Sequence, residues 1–174
     1  MCCVTAEQPN ARTVTRVLKR IVSTPSPSGF EQPVAQLYRD YVTPFADRVT
    51  TDIMGNVMAI INPDAPMRVM YAGHMDEIGF IVHYIDDDGF LFFSPIGGTD
   101  TATEIGQRVL VHGGESVPGV VGRKAIQTFG IVSVPLRYMH TPSEVMCLTD
   151  VEATIDLVCE YCRRIRPDTD FTPW

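Results

Sequence analysis

The sequence predicts an α/β fold interrupted by a small β module. Three observations carry that expectation. Apolar residues recur at helical spacing near the N-terminus and again in the last third of the chain. Between them, "DRVTTDIMGNVMAIINP" and "MRVMYAG" read as strands. From Ile78 to about Gly122 the texture changes to short β-rich runs, "IGFIVHYI", "GFLFFSPI", "QRVLVHG" and "GVVG", punctuated by Asp-Gly and Gly-Gly turns.

Val14, Val17, Leu18 and Ile21 mark one face of a first helix over residues 12–23, with Arg and Lys between them. That helix stops in "STPSPSGFEQP", where two Ser-Pro steps and a glycine enforce an extended loop. A second helix runs from about Pro33 to Tyr41, with proline in its first turn, where the missing N–H is no loss. Two strands then flank a tight turn at Met54-Gly55-Asn56, and "MRVMYAG" is a further strand ending at His74. After the β module, "FGIVSVPLRYMH" is another apolar strand, and it ends at His140. "LTDVEATIDLVCEYCRRI" is the final helix. Thr149 and Glu152 stand at capping-box spacing, and Arg163, Arg164 and Arg166 gather where the helix dipole favours positive charge. The tail "PDTDFTPW" is expected to be irregular.

With 174 residues, the chain fits one domain or one domain with a small appendage. Apolar residues make up 45% and charged residues 20%, the balance of a soluble globular protein. A net charge of −7 disfavours a nucleic-acid surface, which needs clustered Lys and Arg. Such a chain tolerates a metal or cationic ligand better. No apolar stretch reaches the length of a membrane span, and "MCCVTAEQPNARTVTR" lacks the order of a signal peptide, so the cytoplasm is expected. Five cysteines are too few for a disulfide scaffold, and reduced thiols are expected. Cys159 and Cys162 form a C-x-x-C inside a helix with no strand before it, which suits small apolar core residues rather than a redox motif.

Four histidines are present. In "AGHMDEIGF", His74 and Asp76 stand two apart, a spacing that returns both side chains to one face of an extended chain. A metal-binding imidazole commonly donates its second N–H to such a carboxylate. The same pattern also suits a polar strand end. His83 and His112, inside the β module, read as exposed or satisfied polar positions. His74 and His140 both lie where ligands gather in open α/β sheets, beyond the carboxyl ends of strands.

The blocks "STPSPSGFEQPV", "DIMGNV", "AGHMDEIGFIV", "DDDGFLFFSPIGG", "GQRVLVHG" and "SVPLRYMHTPSEVMCLTDVE" occur in order along nearly the whole chain. Together they resemble the glutamyl or deblocking aminopeptidase family, dinuclear metallo-aminopeptidases that include the tetrahedral archaeal enzymes and the endoglucanase-M-like proteins. That resemblance implies a mixed-sheet metallo-aminopeptidase domain of α/β class, interrupted by a small β-barrel that mediates assembly. On this chain the peptidase-like parts would be residues 1–77 and 125–174, with the β module at 78–124. His74 and His140 match metal-binding histidines of the family, and Asp76 matches the carboxylate that orients the first. Two divalent ions, zinc, cobalt or manganese, are implied as cofactors. Short peptides are the implied substrates, shortened from the amino end, and no nucleic acid or membrane partner is implied.

The family's bridging aspartate, its Glu-Glu pair carrying the general base, and a further aspartate ligand have no counterpart here. After "GVVGRKAIQ" the sequence passes straight into "TFGIVSVPLRYMH", so the resemblance implies a peptidase domain shortened near Arg123–Thr128, with an incomplete β-barrel module. No general base is recognisable. Substitutes could be drawn from Glu77, Asp100, Glu104 or Glu144, but each is more simply read as a solvated loop carboxylate. Bare sheet edges left by the shortening lead us to expect a homo-oligomer. Alternatives to a metal-dependent aminopeptidase are a catalytically inactive family member that serves as an assembly subunit, or an artefact of the gene model.

Overall fold

A computed structural model describes residues 11–98, 102, 105, 106, 108–111, 132–141 and 144–170. Its fold is mixed α/β with small antiparallel sheets. Helix α1 (Ala11–Val22) turns Val14, Val17 and Leu18 inward, as their spacing predicts, and carries Lys19 and Arg20 in its last turn. Helix α2 (Gln32–Val42) has proline in its first turn and buries Val34 and Ala35. Those two are the only buried apolar residues among the described residues. Val17 and Ile21 of α1 face Leu37, Tyr38 and Tyr41 of α2 across a narrow apolar cleft.

Strands β1 (Arg48–Thr51) and β2 (Val57–Ile60) pair antiparallel, with Val49 opposite Ala59. Their connection is the turn expected around Gly55, which adopts φ +85°. One Asp52 oxygen accepts the backbone N–H groups of Met54 and Asn56, while the other accepts the Asn56 side-chain amide. Arg39 of α2 reaches Thr51 at 2.7 Å, tying helix to hairpin. Strands β3 (Gly79–Ile85) and β4 (Leu91–Ile96) form the longest hairpin, closed by the Asp-Gly turn with Gly89 at φ +86°. A bulge falls between Val82 and Tyr84, and His83, the residue it inserts, bonds Ser94 across the pair at 2.7 Å. That histidine is a satisfied polar position, as expected. A short pair, β5 (Leu136–Arg137) with β6 (Val145–Met146), leads into helix α3 (Leu148–Arg164).

Three expectations are corrected. In place of one mixed sheet, the described residues form three separate two-stranded antiparallel sheets. "MRVMYAG" carries no strand, because no described strand lies alongside it to take up its backbone hydrogen bonds. Its Tyr71 instead places its hydroxyl 2.9 Å from Cys162 Sγ on α3. Likewise, among the described residues of the strand expected before His140, only Leu136 and Arg137 join a ladder. The third correction concerns α3, which starts two residues early, with Cys147 rather than Thr149 at the N-cap position and no side-chain cap. Thr149 is already helical, so its hydroxyl cannot close a capping box and lies 2.9 Å from Cys147 Sγ. At the other end, Arg166 donates to the carbonyls of Arg163 and Ile165, so it closes the helix from just beyond its last turn.

Cys147, Cys159 and Cys162 are free thiols. No described helix is long and apolar enough to cross a membrane. His112, Asp100, Glu104, the Arg123–Thr128 junction, Cys2-Cys3 and the "GVVG" end of the β module lie outside the described residues.

Candidate functional site

The site is built where the Ser-Pro loop after α1 meets the segment between His74 and β3. Phe30 N–H bonds Pro27 O at 2.8 Å, and Gly29 takes φ +92° in the third position of that turn. Only glycine adopts that angle freely, which is why "SPSGF" turns here. The turn docks on Glu77 by a two-way backbone clasp. Ser26 N–H donates to Glu77 Oε1 at 2.9 Å, and Glu77 N–H donates to Ser26 O at 2.9 Å, with an isolated parallel bridge between Pro27 and Glu77. Ser26 is only 5% exposed. Gly79 permits the approach, since a Cβ there would lie 3.1 Å from Pro27 Cβ.

This clasp brings Ser28 to Asp76. The Ser28 hydroxyl donates to Asp76 Oδ2 at 2.6 Å, and Asp76 Oδ1 lies 2.9 Å from His74 Nδ1. Nδ1 is also 3.0 Å from the Asp76 carbonyl. Both neighbours of Nδ1 are acceptors, so in the neutral imidazole Nδ1 carries the hydrogen and Nε2 the lone pair. The His74 side chain is 85% exposed and Asp76 is 38% exposed. Ser28's hydroxyl, and to a lesser degree the His74 contact, hold the Asp76 carboxyl below its ordinary value, against a partial burial that works the other way.

His140 lies at a second place. It adopts φ +62°, and Tyr138 two residues earlier adopts φ +61°, both in the left-handed region that L-residues other than glycine seldom enter. Glu144 Oε1 accepts the His140 backbone N–H at 2.7 Å, and Thr141 Oγ1 donates to Tyr138 O at 2.7 Å. The imidazole rests against the end of β4, where a Cβ on Gly98 would lie 3.5 Å from Nδ1. No hydrogen bond or ion pair joins His140 to His74 among the described residues. Glu77 and Glu144, two of the candidate substitute carboxylates, are exposed, as expected of loop carboxylates, and each also accepts a backbone N–H of the loop it stabilises.

The donor set decides how a metal would fit. His74 Nε2 is a free nitrogen ligand beside one oriented carboxylate, but no group of three or more His, Cys, Asp or Glu could hold an ion among the described residues. Two ions need several ligands each and a shared carboxylate. The described residues therefore do not fit a two-ion centre by themselves. Sequence reasoning found His74 and Asp76 but missed Ser28, whose only signal is the Ser-Gly step of the turn.

A family model, that of the M42 glutamyl aminopeptidases, matches residues 55–129. Over that stretch the chain is similar to this family. Among curated proteins it is 41% identical over 109 residues to the lysyl aminopeptidase of Pyrococcus furiosus, covering 61% of this chain and 31% of that one. It is 35% identical over 111 residues to the putative aminopeptidase FrvX of Escherichia coli, covering 63% of this chain and 31% of FrvX. The matched part thus spans about a third of each relative. Among solved structures, the TET aminopeptidase of a marine-sediment Thaumarchaeota archaeon superposes with a TM-score of 0.51 at 36% identity, covering 54% of this chain and 26% of the other. Members of the M42 family thus resemble this chain in sequence and in local fold, and the matched stretch contains His74, Asp76 and the whole β3–β4 hairpin.

Proposed function

We propose that this chain carries part of the site of a metal-dependent aminopeptidase-type hydrolase that releases amino-terminal residues from short peptides. One observation bears most of the weight: Asp76 Oδ1 stands 2.9 Å from His74 Nδ1, a contact that in the neutral imidazole leaves Nε2 as the nitrogen ligand, inside the family-matched segment. The names of the relatives, aminopeptidases each, favour this reading over an inactive assembly subunit. Zinc, cobalt or manganese all suit imidazole and carboxylate donors. Because the described residues do not complete a two-ion set, no bond-breaking step is assigned to metal here; the remaining ligands must come from outside the described residues or from a neighbouring chain. His140, strained and bonded to Glu144, is proposed as the second imidazole. Residues 1–77 and 125–174 are proposed as peptidase-like parts around the β module at 78–124, in a self-associating protein of the cytoplasm.

The test is to measure bound zinc, cobalt and manganese in the purified protein and to follow nitroaniline release from aminoacyl-nitroanilides with and without EDTA. Stoichiometric metal with chelator-sensitive release supports the proposal. No metal above background together with no release assigns the chain to the assembly class instead.

A further inference from the structure

We infer that Ser28 is the positioning residue of the His74 site, acting through Asp76. The inference rests on the functional reading above only for what Nε2 goes on to bind; the positioning itself stands on geometry.

Asp76 is held at both oxygens, Oδ2 by Ser28 at 2.6 Å and Oδ1 by His74 at 2.9 Å. A carboxylate held at a single oxygen still swings about its terminal torsion, which is broad and weakly restrained. Held at both, it is fixed in rotation and presents Oδ1 to the imidazole. The direction of the Ser28 bond is not in doubt, because an ionised carboxylate only accepts and the hydroxyl has one hydrogen to give.

The imidazole cannot hold itself in place, since its side chain is 85% exposed and gains little from packing. Ser28, in contrast, sits on a fixed support. The turn that carries it is closed by Phe30 N–H on Pro27 O and clasped on Glu77 in both directions, and Pro27 seats against Gly79. Order therefore passes from the clasped turn to Ser28, from Ser28 to Asp76, and from the Asp76 carboxylate to the tautomer of His74, whose Nδ1 also meets the Asp76 carbonyl at 3.0 Å. Outer partners of this kind set both orientation and tautomer of a ligating imidazole.

The experiment is a two-bond nitrogen–proton spectrum of the imidazoles at a fixed pH of about 8, where free imidazole is neutral. It uses the full chain with no metal added, in wild type, Ser28→Ala and Ser28→Thr. Wild type is expected to show His74 predominantly as the Nδ1–H form. Ser28→Ala is expected to make that form the minor one, and Ser28→Thr, which keeps a hydroxyl, to restore it. The His83 signals, set by Ser94 on the β3–β4 hairpin, report whether each variant has kept its fold. An unchanged His74 tautomer in Ser28→Ala overturns the inference, as does an equal shift in Ser28→Ala and Ser28→Thr. Neither readout involves metal or substrate, so these failures remove the role of Ser28 and leave the peptidase reading to its own assay.

Discussion

At the scale of single residues, the His74 side chain is 85% exposed, and what it does depends on the two atoms that touch Nδ1. Replacing Asp76 by Asn removes the charge that favours the Nδ1–H form while keeping shape. Metal affinity or peptidase rate is expected to fall about 10- to 100-fold, the usual effect of losing such a partner. The thermal melt should barely move, since the group is partly exposed; a large drop in melting temperature would make Asp76 a folding residue instead. His74→Ala and His140→Ala are each expected to abolish release, and full rate in either would remove that histidine from the site. The pairing of His74 with Asp76 was legible in the sequence because it is local, two residues along an extended backbone. Ser28 was not legible: its partner stands 48 positions away, and only the fold brings them together.

At the scale of elements, the β1–β2 turn shows how local chemistry fixes a hairpin. Asn56's side-chain amide is the main reason that Asp52 titrates below its ordinary 3.8, with backbone N–H groups adding to it. The folded pKa being lowered, the ionised form stabilises the turn above about 3.8, and that contribution is lost as pH falls through the lower folded value. Carboxyl carbon shifts followed through an acid titration should show Asp52 moving back toward 3.8 in Asn56→Ala. Superimposable curves for the two proteins would contradict that origin. Gly55 at φ +85° meets nothing where a Cβ would go, so Gly55→Ala should cost only the backbone penalty, about 1 kcal/mol in urea unfolding. Helices α1, α2 and α3 were legible to within a residue or two because periodicity is written into each segment. The strand expected at "MRVMYAG" was not, because a strand is a relation between segments and no described partner lies beside this one.

For the whole molecule, what governs behaviour is how little is buried. The β3–β4 hairpin displays Ile81, Val82, Tyr84, Ile85, Phe92 and Phe93 to solvent, with ring contacts between Phe80 and Phe93 at 4.9 Å and Tyr84 and Phe92 at 5.7 Å. A two-stranded ribbon of that composition is marginal alone and tends to cover itself. Sedimentation velocity should therefore show a species heavier than 19.3 kDa whose share grows with concentration, and Phe92→Glu with Phe93→Glu should reduce it. A single 19.3 kDa boundary at all concentrations would contradict this. Composition did not foretell this exposure, since 45% apolar content says how much could be buried and not whether a partner surface exists.

The most direct measurement is nitroaniline release from aminoacyl-nitroanilides by the wild-type chain and by His74→Ala, each supplied with zinc, cobalt or manganese and then with EDTA. Wild type should release nitroaniline only with metal and stop with chelator, and His74→Ala should stay at background throughout. Equal release from both proteins, or release from wild type that EDTA leaves untouched, would contradict an aminopeptidase site centred on His74.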